Sequence, residues 1–172
     1  MQPLIHSETA PFAAKYFPLH LALLSVGENV MPMGFWTVIS KEPFRFIIAM
    51  GVGNYSLGLL REHGEAALHF MPWDERERVV RAGWLSGRDV NKAERLGLKL
   101  TAAEKLDQTR LVEGADTVFE MVVLQELDGL SREYVPFVMD VVAVHGQSHR
   151  EPILFMNRKD YATLGERWRF SK

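Results

Sequence analysis

Along this chain the apolar residues gather into short runs, and their spacing is more often that of strands than of helices. Between Phe17 and Ser25 the large apolar side chains begin on alternate positions (Phe17, Leu19, Leu21, Leu23), the period of a strand with one buried face. Phe46 to Met50 and Ala66 to Phe70 are brief apolar runs bounded by Gly or Pro, the form of buried strands. Val118 to Leu124 and Val135 to Val144, rich in Val and Phe, predict an antiparallel pair joined by a hairpin loop over Asp128 to Glu133. Helical segments are fewer. Ser56 to His63 ends at Gly64, and Asn91 to Leu96 ends at Gly97, each glycine a stop signal. Asp74-Glu75-Arg76-Glu77 reads as a capping box opening a helix that turns Val79, Val80 and Gly83 inward. Strands dominate without a regular βαβ alternation, so the expected fold is all-β, a closed or partly closed β-barrel with helical decorations.

Composition narrows the function classes. The 172 residues carry no linker, repeat or low-complexity tract, which predicts one domain over 1–172. A net charge of -2 offers no basic field for a phosphodiester backbone, so nucleic acid is not expected as a partner. The absence of cysteine removes disulfides, thiolate nucleophiles and Cys-based metal sites. The opening MQPLIHSETAPFAAKYFPLH has no basic segment followed by an apolar run and cleavage site. The apolar runs fall well short of the ~20 residues a membrane helix needs. The expectation is a soluble, cytoplasmic protein with no membrane association, whose difficult chemistry falls to a cofactor.

Three segments are candidates for holding one. Asn29-Val30-Met31-Pro32-Met33-Gly34-Phe35-Trp36 interrupts strand character with Pro and Gly, and supplies soft apolar side chains and an amide. That suits a flat heteroaromatic ligand; a β-bulge filling the core is the other reading. Gly51-Val52-Gly53-Asn54-Tyr55-Ser56 lies between a strand and a helix start, where free N–H groups and the helix dipole favour a phosphate; plain N-capping by Asn54 and Ser56 is the alternative. It is no dinucleotide fingerprint, because Ser56 holds the third glycine position and no βαβ unit follows. Ser86-Gly87-Arg88-Asp89-Val90-Asn91-Lys92 can close over an anion or serve as a solvated turn. His145 and His149 stand four apart, but Gly146 breaks any helix between them, and no metal is expected.

In their order these segments resemble the flavin reductase-like, FMN-binding split-barrel family, and its flavoredoxin-type members in particular. The matching run is Asn29-x-Met31-x-x-Gly34, Ser40-x-x-Pro43, Asn54-x-Ser56, a strand near Ala66–Phe70, then Ser86-Gly87-x-Asp89-x-x-Lys92. The likeness continues more weakly to Pro152-Ile153-Leu154-Phe155 and Tyr161-x-x-Leu164-Gly165. The resemblance implies a split β-barrel homodimer binding FMN near the subunit interface. Asn29, Val30, Met31, Pro32 and Met33 would run along ring and ribityl chain, largely through main-chain groups. Asn54, Tyr55 and Ser56 would meet the phosphate or ribityl end, and Ser86, Gly87 and Lys92 would close the pocket. It implies an oxidoreductase passing electrons between NAD(P)H, flavin and an acceptor. The alternatives are a flavoredoxin-type carrier reduced by a protein partner, and a relative that no longer binds FMN. Three departures stand out. Pro32 replaces a frequent Thr, Phe35 and Trp36 shift an aromatic by one place, and His69 replaces a strand Asn.

Overall fold

The strand-rich pattern folds as eleven strands and three short helices in the computed structural model, which describes residue 12 and residues 16–148, 151–157 and 159–165. In chain order these are β1 (Leu19–Val26), β2 (Asn29–Met33), β3 (Trp36–Lys41), β4 (Phe44–Gly51), α1 (Tyr55–His63) and β5 (Glu65–Phe70). A single 3₁₀ turn, Trp73–Glu75, leads into α2 (Arg76–Ala82) and then α3 (Lys92–Leu96). Next come β6 (Leu100–Ala102), β7 (Arg110–Val112), β8 (Thr117–Glu126), β9 (Tyr134–Gly146), β10 (Ile153–Asn157) and β11 (Asp160–Ala162). The main sheet runs β11-β10-β1-β5-β8-β9-β4-β3, with β2 branching from β1 and every pairing antiparallel. Among the described residues no ladder joins β3 back to β2, so the barrel is split. The expected β8–β9 hairpin and the stops at Gly64 and Gly97, both left-handed, are present.

The one-faced reading of the first strand needs correction. Ala22, Leu24 and Val26 of β1 enter the barrel core with Phe46, Met121 and Phe137. Leu23, on the opposite face, packs with Val30, Val79, Ala82 and Ala93 beneath α2 and α3. Both faces of β1 are thus covered, one by the sheet curling on itself and one by helices, which periodicity cannot report. Leu57 and Leu60 bring α1 onto the barrel core. Pro32 also lies inside a strand, contrary to the expectation of a broken one. Among the described residues β2 pairs only with β1, and an edge strand tolerates a residue without an N–H. The Asp74 capping box is not formed: Asp74 is exposed, and α2 starts after the 3₁₀ turn with no side-chain cap.

Strand β5 is buried on both faces but carries Glu65 and His69. Their polar groups are satisfied by the segment that crosses them. The Glu65 carboxylate accepts N–H bonds from Asp107, Gln108 and Thr109 at 3.1, 2.7 and 2.6 Å. On the neighbouring β8, Glu120 accepts from Glu104 and Lys105 and meets the His145 ring at 2.6 Å. Burial works to raise the Glu120 pKa, but these donors outweigh it and hold it below the usual value.

His69 is wholly enclosed, its Nδ1 facing the Leu23 carbonyl at 3.1 Å and its Nε2 accepting from the Val112 N–H at 2.9 Å. Only the neutral ring serves both, and burial lowers its pKa from 6.5 to about 4. Well above pH 6.5 neither folded nor unfolded ring is charged. Below it the unfolded chain takes up the proton first, so stability falls as pH falls, by about 2 kcal/mol at pH 5. Urea midpoints at pH 7.5 and 5 should show this drop in the native chain and a smaller one in His69→Gln; equal drops would contradict it.

Candidate functional site

A groove opens where β2, the start of α1 and the strip from Gly83 to Arg88 converge. The turn after β4 is closed by the Asn54 N–H on the Gly51 carbonyl (2.9 Å), and α1 begins one residue later. Asn54 occupies the cap position with extended backbone, yet its side chain makes no capping bond. It faces the groove instead. Ser56, 2% exposed, accepts a hydrogen bond from Asn29 Nδ2 at 2.6 Å. That contact crosses from α1 to β2, so simple helix capping does not describe either side chain. The other end of the Asn29 amide, Oδ1, is buried and has no partner among the described residues. Opposite it lies Gly87, where a Cβ would collide with Asn29 Oδ1 and the Tyr55 ring. At Gly83 a Cβ would come within 2.9 Å of the Pro32 ring, so α2 can end against β2 only with glycine there.

Two cavities make up the groove. The first, of about 410 Å³, holds Asn29, Asn54, Tyr55, Ser56, Ser86 and Gly87. The second, of about 260 Å³, has apolar walls from Leu19, Leu21, Met33, Phe35 and Phe155. Met31, Pro32 and Asn54 line both, so the two form one continuous polar-to-apolar trough. Phe35 meets Tyr134 edge-on at 5.0 Å within the apolar part. Trp36, one residue on, turns to the other side, donating to the His20 carbonyl at 2.9 Å and packing on Phe46 and Phe70. A shift of one place along a strand turns a side chain to the opposite face.

Of the sequence-derived residues, nine line the polar cavity: Asn29, Met31, Pro32, Asn54, Tyr55 and Ser56, with Ser86, Gly87 and Lys92. Met33 lines the apolar one. Val30 has no exposed surface, and its side chain belongs to the core beneath the helices. Lys92 lies at the wall with its ammonium taken up by the carbonyls of Val30 and Ala82, at 3.0 and 2.9 Å, and burial lowers its pKa. It ties β2 to the end of α2.

Arg88, noted only as part of its loop, is a cation at the mouth. Its guanidinium sits 5.6 Å from the Tyr55 ring centre and donates to the Gly53 carbonyl at 3.3 Å. Tyr134 went unnoticed, and Phe155 was named only in the weaker tail of the resemblance with no part in the site, because they come from β9 and β10, far along the chain. Only the β4–β9 and β1–β10 pairings bring them near. Ser40 to Pro43, part of the resemblance, lines neither cavity. His145 is engaged by Glu120, while His149 and the tail from Arg167 to Phe170 lie outside the described residues.

The chain is a split β-barrel with a polar-to-apolar trough beside a helix start. The Flavin reductase like domain model matches residues 15–165 of this chain. The chain belongs to that family. Among solved structures it is similar to an FMN-binding protein from Thermus thermophilus with bound p-hydroxybenzaldehyde, at TM-score 0.86 and 21% identity, covering 99% of this chain and 100% of that one. It is similar also to a flavoredoxin from Methanosarcina acetivorans, at TM-score 0.84 and 16% identity, covering 99% and 96%. An uncharacterized protein of Archaeoglobus fulgidus is 26% identical over 151 residues, 86% of this chain and 84% of that protein.

Proposed function

We propose that this chain binds FMN in the trough and works, as a homodimer, as an NAD(P)H-dependent flavin reductase-like oxidoreductase. The observation that carries the reading is the unpartnered Asn29 Oδ1, buried opposite a glycine at which any side chain would fill the space. A buried amide oxygen without a partner is costly unless a ligand satisfies it. The rest of the trough fits the same ligand. The α1 start, with no acidic residue in its first turn, is open to a phosphate. Ser56, Ser86 and Arg88 add donors, while Met31, Pro32, Met33 and Phe35 supply a flat apolar wall. FMN, when bound, supplies the ability to take up and pass on a hydride or single electrons. The protein's own part is placement and exclusion of water from the apolar half. Lys92 ties β2 to the end of α2 through its bonds to the Val30 and Ala82 carbonyls.

The likeness to a flavoredoxin supports a second reading, a carrier that holds FMN and is reduced by a protein. One anaerobic experiment separates them. The purified protein should turn yellow with FMN at about one equivalent per chain and bleach within seconds of adding NADH or NADPH. Bleaching by dithionite alone would favour the carrier. Failure to retain or bind FMN at micromolar concentration would remove both.

A further inference from the structure

On the far side of the Gly83–Arg88 strip lies a larger cavity, of about 870 Å³, between α2, α3 and β11. Leu85 lines it and also lines the polar cavity, so a single residue separates the two. Ser86 and Gly87, which follow Leu85, stand at the end of the trough assigned to the phosphate.

The larger cavity brings together two indoles and four cations. Arg76, Arg81, Arg95 and Lys159 face it, against one carboxylate, Glu77. Glu77 is held by Arg81 at 2.8 Å, and the Arg76 guanidinium lies 4.7 Å from the centre of the Trp73 ring. Among the described residues Arg95 and Lys159 have no carboxylate within ion-pair reach. Trp84 is 71% exposed at the rim, with Lys159 Nζ 5.9 Å from its ring centre. An indole this exposed, beside unneutralised cations and a second indole, matches one ligand chemistry: a flat aromatic base carrying an anion. Bases stack on indoles whatever their identity, and phosphates are taken by arginine and lysine. An isolated anion would leave the indoles unused, and an isolated apolar ring would leave the cations unpaired.

We propose that this cavity is a second subsite, which takes an adenosine phosphate, with its base on Trp84 and its phosphate toward Arg95 and Lys159. The assignment rests on the trough being the flavin site, because the cavity adjoins the phosphate end from which a tethered adenosine would extend. Two reactants of the proposed function carry such a group. In FAD it extends directly from the flavin's own phosphate, and in NAD(P)H it is the half remote from the nicotinamide. A tether raises the local concentration of the second group, so weak intrinsic binding becomes a clear affinity gain.

The test uses titration calorimetry with FMN, FAD and AMP, on the native chain and on Trp84→Ala/Arg95→Ala. Both residues are outside the trough, and an unchanged FMN affinity in the variant shows that its fold and flavin site are intact. AMP alone should bind the native chain with millimolar or better affinity and lose at least tenfold in the variant. If FAD is the source, the native chain binds it at least tenfold tighter than FMN, and the variant erases that difference. If the nicotinamide dinucleotide is the source, FAD and FMN bind alike and KM for NADH or NADPH rises at least fivefold in the variant at constant kcat. Absence of AMP binding, of an FAD preference and of a KM change together would overturn the subsite. AMP binding without FMN binding would retain the subsite and overturn the flavin reading.

Discussion

Replacing Glu65 with alanine should remove about 3–5 kcal/mol of folding stability, the range for breaking a buried charge network. The Glu65 carboxylate, only 8% exposed, is the acceptor for three consecutive backbone N–H groups, those of Asp107, Gln108 and Thr109. Those donors belong to a segment with little regular structure of its own, between β6 and β7. Thr109 in turn accepts the Gly27 N–H at 3.1 Å, and the Arg110 N–H reaches the Gly27 carbonyl at 2.9 Å. Loss of the carboxylate therefore loosens both the 103–110 crossing and its grip on the β1–β2 turn. A urea titration should show a lower midpoint with the slope nearly unchanged. Glu65→Gln should recover less than half of the loss, since one amide oxygen cannot serve three donors and the amide N–H₂ would face them. A midpoint within experimental error of the native chain would mean that water replaces the carboxylate at no cost.

The same residue shows where a sequence stops being legible. The run Ala66 to Phe70 was visible as a strand because it is short, apolar and bounded. That its outer face is covered, and that Glu65 and His69 are therefore interior, depends on a crossing segment some forty residues away. No local pattern encodes that. Helix ends fared better: Gly64 and Gly97 act through their own backbone, and Asn91 caps α3 by accepting from the Glu94 N–H. Asp74 carried the same kind of signal and failed, because the 3₁₀ turn after Pro72 moved the helix start past it. The trough divides along the same line. Asn29 to Met33, Asn54 to Ser56, and Ser86 with Gly87 are contiguous motifs and could be recognised by spacing. Tyr134, Phe155 and the cavity behind Leu85 exist only through strand pairing and helix packing.

Asn54→Ala combined with Ser56→Ala should weaken FMN binding by about 2–4 kcal/mol, taking each bond to a charged group as roughly 1.5–3 kcal/mol less some overlap. That is a loss of roughly 30- to 1,000-fold in affinity, measurable by fluorescence titration. The geometry gives the two residues different parts. Asn54 makes no capping bond, so its amide is available to the ligand. Ser56 Oγ accepts from Asn29 Nδ2, which occupies one lone pair and leaves the hydroxyl proton to be donated elsewhere. Removing the Ser56 hydroxyl also strips Asn29 of its one bond and frees an amide whose other end is already unpaired. Asn29→Ala and Ser56→Ala should for that reason be strongly non-additive in FMN affinity, while Asn54→Ala adds nearly independently to either. Full additivity of the Asn29 and Ser56 changes would show that the 2.6 Å contact does not orient either group toward the ligand. An unchanged affinity in the Asn54/Ser56 double variant, with its fold intact, would confine both side chains to shaping the turn.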